Sequence, residues 1–370
     1  MRAIISGGGT GGHIFPAIAI ANAIKERHPD AAIHFVGAQG RMEMEKVPAA
    51  GYTISGLPIA GLQRKLTVRN LLRNLQLPLR MLSSRMKVRK ILRDFRPDIV
   101  VGVGGYASQP TLKAAARMGL PTLLQEQNSY AGLTNKMLAS TARVICVAYE
   151  GMERFFPADK IVMTGNPVRA DIERMEATRD EGLQHFGIED TATKVVLIVG
   201  GSLGARSINE MMLAHLSDFA LHGVTAIWQT GTQMHEAAVV AVHEAAAEQY
   251  VKVHKFISRM DLAYAAADVV ISRAGAIAIS ELCLVGKPII LIPSPNVAED
   301  HQTKNAQALA DKGAALLVRD ADCKTEGLTA LFALLDDNER QAAMAHNIKQ
   351  LARRQAAARI VDQIDKIIGA

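Results

Sequence analysis

Residues 6–17, SGGGTGGHIFPA, place five glycines within seven positions (7–13) and close the run with His13. A backbone without side chains exposes its N–H groups, and where such a turn opens a helix the N-terminus stabilises a phosphate. A histidine there, with an unperturbed pKa of ~6.5, suits a general base. Gly7, Gly9 and Gly12 satisfy G-x-G-x-x-G, the dinucleotide fingerprint. That fingerprint needs an acidic partner at the end of the second strand to hold a ribose. The strand ends Val36–Gly37–Ala38–Gln39, with no carboxylate and no arginine before Arg41, which disfavours hydride transfer. No G-K-[ST] follows the run, so it is not a P-loop.

Three further glycine turns follow apolar runs: VGGYASQP (103–110), GGSLGARS (200–207) and SRAGAIAISE (272–281). Each alone is compatible with a tight βα turn. Together, at one edge of two sheets, they would line facing lips with phosphate-competent amides, which suggests two phosphorylated ligands. Glu126 and Asn128, in LQEQNSYAGLTN (124–135), follow another strand end. Glu126 is there either a second candidate base or a surface or cap carboxylate. Glu281 lies six residues after Gly275 and either accepts both hydroxyls of a ribose or is an exposed helix glutamate. SPNVAEDHQTKNA (294–306) contributes Asp300, Gln302 and Asn305, residue types that read sugar hydroxyls. One D-x-D, Asp320–Asp322, trails a late strand far from the glycine turns and reads as loop, not as a metal site.

The elements that must position these residues alternate. Apolar runs at 2–6, 32–37, 98–104, 121–126 and 143–148 form a first series, and those at 194–200, 225–230, 251–256, 268–273 and 288–293 a second. Helical patterns such as 16–28 and 207–220 separate them, and 338–369 reads as helix throughout. Continuous apolar strands alternating with helices imply parallel sheets covered on both faces. The fold class is therefore α/β, with two doubly wound domains. The 370 residues exceed one ordinary core. The expected division is 1–165, 166–345 and a C-terminal helix over 346–370 that packs back on the first domain, with the breakers of TGNPVR (164–169) near the boundary. No eighteen-residue apolar window and no signal-peptide pattern occurs, and Cys146, Cys283 and Cys323 are widely spaced. A cytoplasmic protein with buried thiols, and neither disulfides nor zinc, is expected.

In order along the chain, GGTGGHIFPA (8–17), GGYAS (104–108), EQNSYAGLTNK (126–136), GNPVR (165–169), GGSLGAR (200–206) and SRAGAIAISE (272–281) resemble the bacterial peptidoglycan N-acetylglucosaminyltransferases of the GT-B superfamily. The resemblance implies two Rossmann-like domains separated by a deep cleft. It also implies inverting transfer of N-acetylglucosamine from UDP-GlcNAc to C4 of the muramyl sugar of lipid I (the undecaprenyl-diphosphate-linked acceptor), giving lipid II without a metal or other cofactor. Carried over by position, the donor site comprises Thr10, Gly11, Gly12, Asn128, Arg169, Ser202, Ile257, Ala276, Ile277, Ala278, Ile279, Ser280, Glu281, Gln302 and Asn305. Ile257 would present its backbone to uracil, Glu281 would hold the ribose, and Ser202, Arg169 and the amides near Ala276 would take the diphosphate. The acceptor diphosphate would sit on Gly8, Gly9, Gly104, Gly105, Tyr106 and Asn135, with His13 the first choice of base and Glu126 the second. One departure is Gln125, where the family pattern leads one to expect histidine.

The net charge of +6 is concentrated: between Arg64 and Arg96 stand eleven Lys/Arg and one acid, Asp94, interleaved with Leu71, Leu75, Leu82, Met86, Val88, Ile91 and Leu92. With one aromatic, Phe95, in that stretch, nucleic acid is disfavoured. An amphipathic helix pair with a solvated face and an anionic membrane surface both fit. A lipid-linked acceptor favours the second, as a peripheral enzyme on the cytoplasmic face of the inner membrane. The competing functions are a UDP-GlcNAc 2-epimerase of the same architecture and a non-catalytic lipid-diphosphate-binding protein. The Ala276–Glu281 run argues against the second.

Overall fold

The computed structural model describes residues 1–59, 77–201 and 203–370, without the side chains of 77–82 and Ala298. The chain forms two compact units, one of Met1–Val168 with Gln355–Ala370, the other of Arg169–Arg354. The division thus falls three residues later than expected, and the C-terminal crossing falls nine residues later.

The first unit is built on β1 (Arg2–Ser6), β2 (Ala32–Ala38), β3 (Thr53–Leu57), β4 (Ile99–Gly102), β5 (Thr122–Glu126), β6 (Val144–Val147) and β7 (Ile161–Met163). Their order is β3-β2-β1-β4-β5-β6-β7 and all pairs are parallel. The second unit holds β8 (Lys194–Val199), β9 (Val224–Gln229), β10 (Val251–His254), β11 (Val269–Ser272), β12 (Ile289–Leu291) and β13 (Leu316–Leu317), all parallel in the order β10-β9-β8-β11-β12-β13. Strand order reverses between β1 and β4 and again between β8 and β11. The carboxyl ends beside these switch points are where open α/β sheets bind ligands.

The central strands match the apolar runs because they are buried on both faces. β3, β7 and β13, all edge strands, were not anticipated because each is very short or only partly buried. β3, TISGL, carries only two fully buried positions, and β7 and β13 are three and two residues long. The helix expected over 207–220 is two, Arg206–Ala214 and Leu216–Leu221, broken at His215. That ring bonds Asp218 Oδ2 at 2.8 Å and the Lys324 carbonyl at 3.2 Å, which holds its backbone out of the helix. The helix expected over 338–369 is also two, Asn338–Gln350 and Ala356–Ile368, with Gln355 in the left-handed region at φ 55°. The break lies where the chain leaves the second unit and rejoins the first.

The Gly11–Arg27 helix buries Ile14, Ala17, Ile20, Ala21 and Ile24 on one stripe. The C-terminal helix lays Ile360, Val361 and Ile364 into the same core. Arg27 pairs with Asp362 at 2.5 Å and Asp365 at 3.1 Å, and His28 with Asp365 at 2.8 Å. In the Leu77–Phe95 helix Ser84, Val88 and Leu92 face inward while Arg85, Met86, Lys87, Arg89 and Lys90 are exposed. Two of the apolar residues expected to meet lipid are therefore core, and 60–76 lie outside the described residues. Among the described residues no helix is long and apolar enough to cross a membrane. All three cysteines are buried and free, with burial pushing Cys146 and Cys283 up to about 12 and Cys323 to about 11.

Ile364→Ala should lower the stability of the first unit by ~2–5 kcal/mol through the cavity it leaves. Urea denaturation followed in the first unit would measure it, and a loss below 1 kcal/mol would show that the last helix is dispensable for that core.

Candidate active site

In the first unit three loops converge at the carboxyl ends of β1, β4 and β5. The Ser108 hydroxyl donates to the Ser6 carbonyl at 2.6 Å and to that of Gly104 at 2.9 Å, tying the first two loops together. A Cβ at Gly105 would lie 2.3 Å from the Gly8 carbonyl oxygen, so the two turns meet backbone to backbone. His13, on the first turn of the Gly11–Arg27 helix, fills the remaining corner. Its Nδ1 is 3.1 Å from the Gly8 carbonyl and 3.3 Å from the Thr10 hydroxyl, and a Cβ at Gly104 would stand 2.9 Å from its Nε2. A carbonyl can only accept, so the neutral ring carries its proton on Nδ1 and its lone pair on Nε2. Thr10 is the extended N-cap and makes no side-chain capping bond, so the amides of Gly11 and Gly12 keep the unfilled donors of a helix start.

Two of the groups expected at this unit's site are already engaged. Glu126 is buried and its two oxygens accept from the Asn128 amide (3.0 Å), Asn128 Nδ2 (3.3 Å), the Gly132 amide (3.0 Å) and Asn135 Nδ2 (2.9 Å). A carboxylate engaged by four donors holds the 126–135 loop together, and Asn128 and Asn135 serve the same knot. Gly9 is not open to a diphosphate, because its amide donates to Glu43 Oε2 at 2.9 Å. Glu43 also accepts from the Ala38 amide at 2.9 Å. An acid does lie near the end of β2, four residues beyond Gln39 on the next helix, but both its oxygens are spent on backbone amides, so it is not the ribose-holding acid of the dinucleotide fingerprint. Gln125 donates to Asn166 Oδ1 at 2.9 Å inside a buried amide network that includes Gln127. That network explains how an amide is accommodated at this position. Tyr106 stands 57% exposed on the turn after β4.

In the second unit the turn after β8, the loops after β10 and β12 and the start of the Ala276–Val285 helix form the corresponding edge. Ser202 lies outside the described residues. Gln229, at the end of β9, was missed: its Nε2 donates to the Gly201 carbonyl at 2.9 Å and its Oε1 accepts from the Ile257 amide at 2.8 Å. It braces both loops, and because it spends the Ile257 N–H it leaves the carbonyl as that residue's backbone group for a ligand. The signal was a glutamine closing the buried strand VTAIWQ. Gly275 caps the Ala276–Val285 helix without a side chain, which leaves the first amides, Ala276 to Ala278, as donors. Further along the run Ile279 is core, and the Ser280 hydroxyl donates back to the Ala276 carbonyl at 3.0 Å.

Glu281 and Arg169, assigned separately to ribose and diphosphate, form one unit. Arg169 Nε is 3.0 Å from Oε1 and Nη2 3.3 Å from Oε2, while the buried Tyr264 hydroxyl donates to Oε2 at 3.3 Å. Burial raises the Glu281 carboxyl, and the guanidinium opposes that rise. Burial also holds the Tyr264 phenol well above its ordinary value, so it remains a donor. Gln302 accepts from the Ser294 amide at 2.8 Å. Asn305 is fully buried with Nδ2 3.4 Å from the Ala274 carbonyl, so it supports the turn after β11 instead of facing a sugar. Asp320 pairs with Arg273 and accepts from Ser207, and Asp322 pairs with Arg319. The D-x-D acids are thus engaged by arginines.

The glycosyltransferase family 28 N-terminal domain matches residues 3–147 and the family 28 C-terminal domain residues 195–360. The chain is 56% identical over 367 residues to a Parabacteroides distasonis protein, covering 99% of this chain and 98% of the relative. A Bacteroides fragilis relative is 54% identical over 368 residues, covering 99% and 96%. Both are named UDP-N-acetylglucosamine–N-acetylmuramyl-(pentapeptide) pyrophosphoryl-undecaprenol N-acetylglucosamine transferase. Among solved structures, Acinetobacter baumannii MurG aligns with a TM-score of 0.79 at 30% identity over 99% of each chain. A Neisseria meningitidis UDP-GlcNAc 2-epimerase bound to UDP-GlcNAc aligns at 0.66 and 15% identity, over 99% of this chain and all of that one, a likeness of fold alone.

Arg169→Ala leaves the Glu281 carboxylate buried without its cation and should cost about 1–3 kcal/mol at pH 8, reduced because the arginine is partly exposed. Burial then raises the Glu281 carboxyl further, so the deficit is largest above its folded-state pKa and shrinks as acidification protonates it. Urea denaturation of wild type and variant at pH 8 and pH 5 would check both sign and trend.

Proposed function

This chain belongs to glycosyltransferase family 28, and on that premise we propose that it transfers N-acetylglucosamine from UDP-GlcNAc to the C4 hydroxyl of the muramyl sugar of lipid I, forming the β-1,4 linkage of lipid II. Full-length identity of 56% to a transferase of that name carries the reading. The epimerase alternative has only a shared fold behind it, at 15% identity.

The reaction is an inverting displacement. The acceptor hydroxyl oxygen attacks the anomeric carbon through an oxocarbenium-like state. His13 Nε2 takes its proton, and the bond to the β-phosphate oxygen breaks with its electron pair leaving on UDP. The Nδ1 contact to the Gly8 carbonyl supports this role by setting the tautomer. The departing diphosphate is assigned to the amides of Ala276, Ile277 and Ala278 at their helix start, without a metal. Arg169 is assigned to keeping Glu281 ionised for the ribose hydroxyls, Ile257 O to the uracil N–H, and Gln302 to the donor sugar. The enzyme is placed as a peripheral protein at the cytoplasmic face of the inner membrane, with no nucleic-acid partner. The exposed Arg85, Lys87, Arg89 and Lys90 beside Met86 support that placement.

Radiolabelled GlcNAc should pass from UDP-GlcNAc to a lipid I analogue only when that acceptor is present; free N-acetylmannosamine with UDP instead would overturn the reading. His13→Ala should lower kcat by ~10²–10⁴-fold with little change in donor KM, and unchanged turnover would remove His13 from the mechanism. Reversing Arg85, Lys87, Arg89 and Lys90 together should release the protein from anionic vesicles, at ~1 kcal/mol per residue. Retained binding would place the membrane surface elsewhere.

A further inference from the structure

The carbonyl that orients His13 and the amide held by Glu43 belong to the same peptide group. Gly8 supplies the oxygen 3.1 Å from His13 Nδ1, and Gly9 supplies the N–H that donates to Glu43 Oε2 at 2.9 Å. The Glu43 carboxylate is 1% exposed, and its second oxygen is fixed by the Ala38 amide at 2.9 Å. Its slot is built by glycines: a Cβ at Gly8 would lie 2.3 Å from the carboxyl carbon, and one at Gly37 2.5 Å from Cγ. Gly8 has φ +143°, so a side chain there would be strained as well as crowded.

We infer that Glu43 is a positioning residue for His13, acting through the Gly8–Gly9 peptide group; the inference rests on the reading of His13 as the base. An amide is a resonance-coupled unit. An anion accepting at its N–H draws electron density onto its oxygen, and hydrogen bonds in such a chain strengthen one another. The Gly8 oxygen then stabilises an Nδ1–H on imidazolium more than on neutral imidazole, so proton uptake at Nε2 is favoured. The arrangement does the work of a carboxylate–histidine pair with a peptide group between its members. It also fixes the peptide plane, and with it the ring. Of the described titratable groups nearby, Glu45 and Lys46 are exposed on the Glu43–Ala49 helix, and Tyr106 is exposed on the turn after β4. Asp362 and Asp365 of the C-terminal helix pair with Arg27 and His28, at the far end of the helix that His13 begins.

The test is an NMR titration of His13 in the full-length protein with labelled histidine, compared with Glu43→Gln. The expected result is a midpoint lower by ~0.5 pH unit or more in the variant. The acid limb of its kcat profile should move the same way, since the active form of a base is deprotonated. Its kcat should fall ~10-fold or more with donor KM unchanged. Glu43→Asp, which retains the charge, should recover part of the midpoint. An unchanged His13 midpoint in Glu43→Gln overturns the inference, because a merely structural brace would lower kcat without moving the titration. If that variant does not fold, the unaltered protein still decides: the Gly9 amide proton must shift as His13 titrates, and an invariant Gly9 amide overturns the relay. Full turnover in His13→Ala would end the base reading alone, since the titration is read without turnover.

Discussion

Two stretches of backbone touch at the β1–β4 switch point, and the first unit's site depends on that contact. The turn carrying Gly105 comes so close to the Gly8 carbonyl that no Cβ fits between them. The Ser108 hydroxyl bridges the junction, sharing its one proton between the Ser6 carbonyl at 2.6 Å and the Gly104 carbonyl at 2.9 Å. His13 lies against the second turn, where a Cβ added at Gly104 would stand 2.9 Å from its Nε2. The Gly8 carbonyl then chooses the tautomer. Ring orientation thus follows from this backbone packing and from the Gly8 carbonyl.

The second unit uses the same device with different occupants. A Cβ at Gly204 would lie 2.0 Å from the Thr230 carbonyl, so the turn after β8 also packs on backbone. Gln229 then ties that turn to Ile257. The two units differ in what fills their loop amides. In the first, Glu43 takes the Gly9 amide and makes the loop a rigid mount for an imidazole. In the second, the Ala276–Val285 helix begins at Gly275 with no side-chain cap, and its first amides stay directed at the sheet edge. Both helices start without a side-chain cap, and the first unit adds a buried carboxylate on the loop that leads into its helix.

The buried Glu281 shows a related economy. A carboxylate taken out of water is held toward its neutral form, and the guanidinium of Arg169 and the Tyr264 hydroxyl counter that. All three come from separate helices or their caps, so the site's charge state reports on how those helices pack. The Leu77–Phe95 helix faces two demands: Val88 and Leu92 are needed by the core, so its outward face is left basic with Met86.

What the sequence alone determined were features whose cause is local. Long apolar runs buried on both faces marked the central strands of both sheets. The glycine turns declared themselves because only glycine tolerates such backbone approach, and His13 was legible from its place at the end of one. Short edge strands such as β7 and β13 have no such signature, since two or three residues with one neighbour need no apolar pattern. The tertiary structure alone decided which polar groups were already engaged. Glu126 was absorbed by the 126–135 loop, Asn305 by the Ala274 carbonyl, and Gly9 by a glutamate 34 residues away. The pairing of Arg169 with Glu281 spans 112 residues. For Gly9, Asn305 and Arg169 the partner lies 31 to 112 residues away and leaves no periodicity or spacing to read, because it is set by how elements pack. The Glu126 partners lie within nine residues, but which of them it takes is set by how that loop folds.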